Sequence, residues 1–422
     1  EMRAQLSRLN KAGDLRIICT SQKETSAFLK ALKERVADEG IAPEIIDFAV
    51  ATELSYEAPG AKRNLSMLAA AGNRYVLHNE ELLCETAPTQ GSQNASELRL
   101  SSYLHPYTSI RYATVGELLH TMEPEQHDYV ALHQDLGSSL SDYLNAGFEA
   151  YDYAEASHEM AHLLEQRRGR VDVSAMGFYG LSPEYDRSAF LGIQDERERA
   201  RLYARRNDYE RYRSSRITAM SVEKETVTTR ASAFGAAMGL DNRQPLAPFF
   251  PLFMGSDRIF ARTLQWCRPE SVITFHPWMI RRMAPDKAAL STSEKDNEYP
   301  KVRDFLIFLS EDYEFYSTGG QVLSETVGFC YDAGFGRFVR RIGELSLPSF
   351  TEYILHVLRT LLSRHMYYFE RLLQYYDSTP EYWAEDVRDS LEKAENLLNK
   401  GMLAVPQELI HLNSSEEGIR AF

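Results

Sequence analysis

The chain is poor in cysteine. Its 422 residues hold four, at Cys19, Cys84, Cys267 and Cys330, and none forms a C-x-x-C pair. That spacing excludes a zinc ribbon or a thiolate-held iron–sulfur cluster, and so few thiols give no disulfide framework. Cys19 sits inside an apolar run and reads as a small core residue. Long apolar runs are also missing. No stretch of 18 apolar residues occurs, so no bilayer-spanning segment is expected. The first residues, up to Gly13, are polar and lack the apolar stretch of a secretory leader, so a cytoplasmic location is the expectation. Positive charge is short too: 47 Lys and Arg stand against 61 Asp and Glu, a net charge of -14. A protein that displaces counterions from a phosphate backbone needs the opposite balance, so nucleic acid is not an expected partner.

What is present suits a globular protein. Hydrophobic residues make up 44% and charged residues 26%, and the length has room for two domains. Leu15–Thr20 (LRIICT) reads as a buried strand and residues 24–38 as a helix, with Phe28, Leu29, Leu32 and Val36 at helical spacing. Residues 44–51 (EIIDFAVA) read as a second strand, 61–71 as a helix ended by Gly72, and 75–78 as a third strand. This alternation is the pattern of a parallel, doubly wound sheet, whose ligands bind beyond the carboxyl ends of the strands. Thr20–Ser21, Ala51–Glu53 and Asn79–Glu81 are then expected around one crevice.

Residues 86–150 read as mixed and loop-rich, and 151–167 as a helix. A strand is expected at 170–175, followed by a Gly/Pro-punctuated loop, GFYGLSPEYD. Residues 194–216 are densely charged without Gly or Pro and predict one long exposed helix. Arginines and tyrosines interleave there, but Glu196, Glu198, Asp208 and Glu210 are interspersed, which is the composition of a solvated helix with i,i+4 pairs. Arg216, near its end, is placed to reach the crevice. A proline-rich loop (Pro245, Pro248, Pro251) and a short helix lead to a last strand at 271–275. Beyond Lys287 the periodicity is helical, over about 301–316, 320–342, 349–376 and 380–400.

Three phrases carry a family resemblance. The first is A-K-R-N-L-S-M-L-A-A-A-G-N-R-Y-V-L-H-N-E-E-L-L, residues 61–83. The second is G-L-D-N-R-Q-P-L-A-P-F-F-P-L-F-M-G-S-D-R-I-F-A, residues 239–261. The third and weakest is C-R-P-E-S-V-I-T-F-H-P-W, residues 267–278. Together these residues resemble glycosyltransferase family 2, the GT-A fold, in its divergent bacterial form. The resemblance touches residues 15–285 and leaves the helical remainder unexplained.

It implies an α/β domain over residues 1–287, with a GT-A-like mixed, mostly parallel sheet and flanking helices; the helical periodicity beyond it predicts an all-α domain over 288–422. The resemblance implies transfer of a sugar from a nucleotide-sugar donor to an acceptor hydroxyl, with inversion; the acceptor is a glycan, a small molecule or a peptide. By position, Asp257 is the general base, Glu80 and Glu81 hold a divalent cation (Mn or Mg), and Thr20, Glu53, Arg63, Asn64 and Asp241 contact the donor. The physical need is clear, because a diphosphate leaving group gains negative charge that a metal or fixed cations must stabilise, while a separate carboxylate deprotonates the acceptor.

The chain departs from the family pattern in several places. Asn79-Glu80-Glu81 stands where the family has D-x-D, and adjacent strand residues point to opposite faces. Ser256 replaces the first acid of the family's E-D pair. Arg281 and Arg282 stand where a histidine ligand often follows the last strand, with His276 earlier, and two arginines can neutralise a diphosphate without metal. The altered acidic cluster leaves open a catalytically silent GT-A scaffold that acts by binding.

A motif of another class competes. His158-Glu159-Met160-Ala161-His162 satisfies H-E-x-x-H, which on a helix puts both histidines on one face for zinc, with Glu159 as base. Glu184 is the candidate third ligand. The alternative is an exposed helix whose buried face is Met160, Leu163 and Leu164.

Overall fold

The computed structural model describes residues 22–50, 59–79, 81–89, 96–102, 106–182, 190–230, 237–251, 256–283 and 344–399. Helices α1 (Gln22–Asp38), α2 (Glu44–Ala49) and α3 (Pro59–Ala69) come first. Strands β1 (Arg74–His78), β2 (Leu82–Pro88), β3 (Glu97–Ser101) and β4 (Thr108–Tyr112) follow. Next come α4 (Val115–Thr121), a short 3-10 turn at Ala131–His133, α5 (Leu140–Leu144), β5 (Ala150–Glu155), α6 (His158–Glu165) and β6 (Arg170–Leu181). Then come α7 (Glu196–Leu202), α8 (Arg206–Arg213), β7 (Ile217–Ser221), β8 (Glu225–Thr228), β9 (Ala237–Asp241), α9 (Ser256–Cys267) and β10 (Ser271–Arg282). Two long helices close the described chain, α10 (Leu347–Tyr375) and α11 (Glu381–Asn399).

The ten strands form one mixed sheet in the order β1-β9-β6-β10-β8-β3-β5. The long strands β6 and β10 run side by side in parallel and form its axis. Each takes two antiparallel neighbours in series along its outer edge: β9 then β7 on β6, and β8 then β2 on β10. β4 adds to β7. Among the named pairings three are parallel and six antiparallel. The expected α/β class and mixed sheet are there; the balance of pairings lies on the antiparallel side.

Four sequence readings are corrected. Residues 44–49 form a helix, not a strand: Pro43 presets a helical backbone, Glu44 and Asp47 occupy the first turn, and no residue of the segment is buried. Without that strand, the described residues between 44 and 78 do not make a parallel β-α-β unit, and β1 instead pairs antiparallel with β9. Residues 150–155, read as the start of a helix, are an edge strand, and the helix begins at His158 behind the Ser157 cap. The glycines of GFYG lie inside β6. A Cβ at Gly177 would fall 2.2 Å from the carbonyl oxygen of Met220 and one at Gly180 2.1 Å from that of Arg282, so they mark close strand approach and not a turn. Finally, the charged stretch 194–216 is two helices. Tyr203, at the break, is buried and donates its hydroxyl to the Phe190 carbonyl.

One face of the sheet packs Val173, Ala175, Met238, Leu240, Ile273 and Phe275 against Phe249 and against Phe260, Ala261 and Leu264 of α9. The apolar spacing along α9 puts these side chains on one stripe, each contributing roughly 1.5–3 kcal/mol when fully buried. The other face is covered by residues 129–144. The α10–α11 hairpin does not pack on itself alone: Phe369, Leu372, Trp383, Ala384 and Val387 share a core with Phe190, Leu191, Leu202, Tyr203 and Tyr209. Arg199 is seated in that core, 3.5 Å from the Tyr376 ring centroid and 4.4 Å from Trp383, donating to the carbonyls of Ile193 and Thr379. The helical segments expected at 301–316 and 320–342, the strand at 15–20 and the domain boundary at 287 lie outside the described residues.

Candidate functional site

Strand direction locates the site. β9 is antiparallel to both β1 and β6, and β6 is parallel to β10, so β1, β6 and β10 run the same way. The carboxyl edge of β1, where α/β folds bind ligands, lies at His78, which by register stands level with Met176 and His276 in the middle of β6 and β10. Helix α3 leads directly into β1 and runs back along it, so its first turns lie at that edge. Helix α9 leads into β10 in the same sense and brings its N-terminus there.

Two stretches of chain far apart in sequence are joined at this edge. Asn64 is buried, and its amide donates to the carbonyls of Ala49 and Phe249, each at 2.8 Å, while it accepts the Phe249 N–H at 2.7 Å. Pro251 receives the Ala61 N–H on its carbonyl at 3.2 Å. Arg63 donates to Ser256 Oγ at 2.8 Å, and its guanidinium lies 5.6 Å from the Phe249 ring centroid. Phe249 in turn stacks on Phe260 with centroids 4.1 Å apart. Asp257 follows Ser256 in the first turn of α9 and is half-exposed. A carboxylate there is favoured by the helix N-terminus.

Asn79 ends β1 at the same edge, and its carbonyl accepts the Leu82 N–H in the turn to β2. Glu81 is held by Arg282, whose Nε and Nη2 both donate to its Oε2, the first at 2.8 Å. Arg281 is paired with Glu85 at 2.6 Å. Both arginines expected to face a diphosphate are therefore neutralised by glutamates of β2. Arg216 lies at the end of β6, its carbonyl accepting the Ser182 N–H, six residues along that strand from the level of His78.

Asp241 lies elsewhere. Its register partner is Arg74, at the start of β1, so it stands roughly 13 Å along the strand from His78, at ~3.3 Å per residue. Burial opposes its ionisation, but hydrogen bonds from Arg243 and Arg170 outweigh that and hold its carboxyl well below the ordinary carboxylate range. Arg243 grips both oxygens, at 2.8 and 2.9 Å. Gly137, with φ +74°, packs so close that a Cβ would fall 1.8 Å from Arg243 Nη2. Asn242 donates to the carbonyls of Asn73 and Met67 and accepts the Gly72 N–H. The L-D-N-R phrase thus anchors β9 to the turn before β1, at the far end from Asp257. Thr20, Glu53, Glu80 and Glu184 lie outside the described residues.

The H-E-x-x-H segment forms α6. His158, Glu159 and His162 are exposed, with the imidazole rings 6.4 Å apart, and Met160 and Leu163 are buried. Glu159 accepts two hydrogen bonds from Arg230, at 3.0 and 3.2 Å, which occupy the carboxylate a zinc-bound water would need. Among the described residues, no group of three or more His, Cys, Asp or Glu is arranged to hold a metal ion.

A second polar constellation escaped the sequence reading. Ser174 Oγ lies 2.7 Å from His276 Nε2 and 2.8 Å from His133 Nδ1. His276 Nδ1 lies 2.7 Å from Glu225 Oε1, which also accepts the Tyr143 hydroxyl. Burial works against the His276 imidazolium, but the charge and hydrogen bond of Glu225, with Asp135 beyond, hold its pKa above the ordinary value. Burial, helped by the charge on His276, pushes His133 down to about 3. Glu225 thus favours the His276 imidazolium, in which Nε2–H donates to Ser174 and Ser174 donates to His133. The order hydroxyl–imidazole–carboxylate is that of a nucleophilic relay. Yet Ser174 is 1% exposed and enclosed by two imidazoles, so the chain works as a polar bridge fastening residues 131–144 to the sheet. Its only sequence signal was Ser174 and His276 among apolar strand neighbours.

Comparison with family models, with curated proteins and with solved structures finds no match to the chain. No helix among the described residues is long and apolar enough to cross a membrane.

Proposed function

We propose that the protein transfers a sugar from a nucleotide-sugar donor to an acceptor hydroxyl at the carboxyl end of β1. The observation that carries this reading is the joining of Arg63–Asn64 to Phe249 and Ser256, which brings the two strongest phrases of the glycosyltransferase resemblance into one place beside Asp257. In the transfer, the acceptor oxygen forms a bond to the anomeric carbon and gives its proton to the Asp257 carboxylate. The bond from that carbon to the diphosphate oxygen breaks, and the leaving diphosphate keeps the electron pair. Arg63 and the first turn of α9 supply the positive potential that stabilises it.

A divalent cation would add a Lewis acid at the leaving group. The described residues do not fit one at Glu81, whose carboxylate is engaged by Arg282. That same pairing, with the sequestering of Asp241 by Arg170 and Arg243, favours a second reading: a silent scaffold that binds a donor-like ligand without turnover.

A panel of nucleotide-sugars tested by thermal shift, with and without manganese, followed by assay of released nucleoside diphosphate, separates the two. Transfer predicts that one donor raises the melting temperature and is turned over, and that Asp257→Asn lowers turnover by about a hundredfold or more with donor affinity unchanged. Binding without release in the wild type supports the silent scaffold. No shift with any donor removes both readings.

A further inference from the structure

Helix α6 presents a pair of side chains that the transferase reading leaves unused. His158 and His162 stand four residues apart, about one turn, so both project from the same face. Their ring centroids lie 6.4 Å apart, with planes 29° from parallel. Both residues are exposed, and among the described residues no hydrogen bond or ion pair engages a nitrogen of either ring. The backbone beneath them is fixed from three sides. Ser157 caps the helix, accepting the Met160 N–H at 3.3 Å, and donates its own N–H to Ser102 Oγ at 2.9 Å. Met160 and Leu163 are buried with Leu98, Leu100 and Val171. Glu159 is tied to Arg230, which follows the end of β8.

Two imidazole nitrogens on adjacent turns of a helix supply two of the four ligands of a tetrahedral metal ion. A cation ~2.1 Å from one nitrogen of each ring would hold the ring centres roughly 5 Å apart. The rings therefore close by about 1 Å on binding, a movement within the side-chain rotation open to exposed residues. Because the helix is already held, little backbone ordering opposes the chelate. The donor type selects the cation. Imidazole suits Cu2+, Ni2+ and Zn2+, with affinity highest for Cu2+, whereas Mg2+ and Ca2+ take oxygen ligands. The helix dipole acts against a cation beside His158 in the first turn, and the net charge of -14 acts for it.

We infer that His158 and His162 chelate one borderline divalent cation, copper above zinc, with water in the remaining positions. The arrangement differs from that of a zinc peptidase, because Arg230 engages the carboxylate that would activate a metal-bound water. It does not rest on the transferase reading.

The test is calorimetric titration of the full chain, first stripped of metal by a chelator, with CuCl2, ZnCl2 and MgCl2. The tightest Cu2+ site should hold one ion per chain. Its affinity should fall about tenfold or more in His158→Ala and by a similar factor in His162→Ala, because a single imidazole replaces a chelating pair. Zn2+ should occupy the same site more weakly, and Mg2+ should not bind there. Electron paramagnetic resonance of the Cu2+ complex should show two nitrogen ligands in the wild type and one in either variant. His162→Ala combined with Glu165→His keeps two exposed histidines on the helix but sets them ~10 Å apart along its axis, too far to share one ion, so its affinity should stay low. All the substituted side chains are exposed, so the metal-free variants should melt with the wild type, which circular dichroism checks. Equal Cu2+ affinity in the wild type and His158→Ala, or recovery of affinity in the displaced pair, overturns the proposal. A loss in Glu159→Gln as large as that in His158→Ala overturns the two-histidine assignment as well.

Discussion

Two polar clusters share the sheet and differ chiefly in how deeply they are buried. Midway along β6 and β10, Ser174, His276, Glu225, Tyr143 and His133 hydrogen-bond one another beneath residues 131–144, with His133 Nε2 left unpartnered. On the other face of the sheet, Asp257 is half-exposed in the first turn of α9 beside an arginine held by Ser256. The first cluster has the residue types of a catalytic relay and no access; the second has access and fewer groups. The comparison shows why residue type alone is a poor guide to chemistry. A histidine between a serine and a glutamate is equally suited to fastening a loop, and burial decides between the two uses.

The sharpest way to break the comparison is Glu225→Ala. It leaves the buried His276 imidazole and the Tyr143 hydroxyl without their shared acceptor, and should cost about 3–5 kcal/mol in urea denaturation. A loss under about 1 kcal/mol would mean the cluster is not what fastens the segment. Asn64→Ala comes next, at roughly 1–3 kcal/mol, because the buried Phe249 amide and two carbonyls lose their partner. It should also weaken donor binding by releasing residues 245–251, whereas Glu225→Ala should not at temperatures where it is folded.

A graded effect follows from pH. His276 has a folded pKa above its unfolded value near 6.5, so its contribution is complete below that pH and is lost as pH rises through the folded pKa. Asp241 has a folded pKa below its unfolded value near 3.9, so its contribution is present above that pH and is lost as pH falls through the folded pKa. Stability measured across pH should therefore fall on both sides of a plateau. His276→Gln should flatten the alkaline limb and Asp241→Asn the acid limb, and an unchanged alkaline limb in His276→Gln would contradict the assignment. The smallest effect is expected at α6. His158→Ala should change stability by less than about 0.5 kcal/mol, since the ring is exposed and the helix is held by Met160 and Leu163.

The sequence was most legible where periodicity was long or capped. α1, α3, α9, α10 and α11 all lie where apolar spacing placed them, and the strands at 75–78, 170–175 and 271–275 are real, though the last two run on to Leu181 and Arg282. Short apolar runs were ambiguous: EIIDFA has the composition of a strand but begins at a proline and finds no sheet neighbour. Glycine misled in β6 because its role there, close backbone approach, leaves the same letter as a turn.

At the candidate site, the sequence supplied Arg63, Asn64 and Asp257, and the structure sets the first two against the loop and helix start that carry the third. It also supplied Asp241, whose neighbours in space, Arg170 and Gly137, are too distant in sequence for its anchoring role to be foreseen.

The sequence by itself determined the α/β class, the helical hairpin after residue 346 and the residues able to carry charge at a strand end, because local periodicity and composition are written residue by residue. Which carboxylates are closed off by arginine was decided only by the tertiary structure. Arg282 closes on Glu81, Arg230 on Glu159, and Arg170 with Arg243 on Asp241. An ion pair is a meeting of two side chains from different elements, and no single stretch of chain contains both.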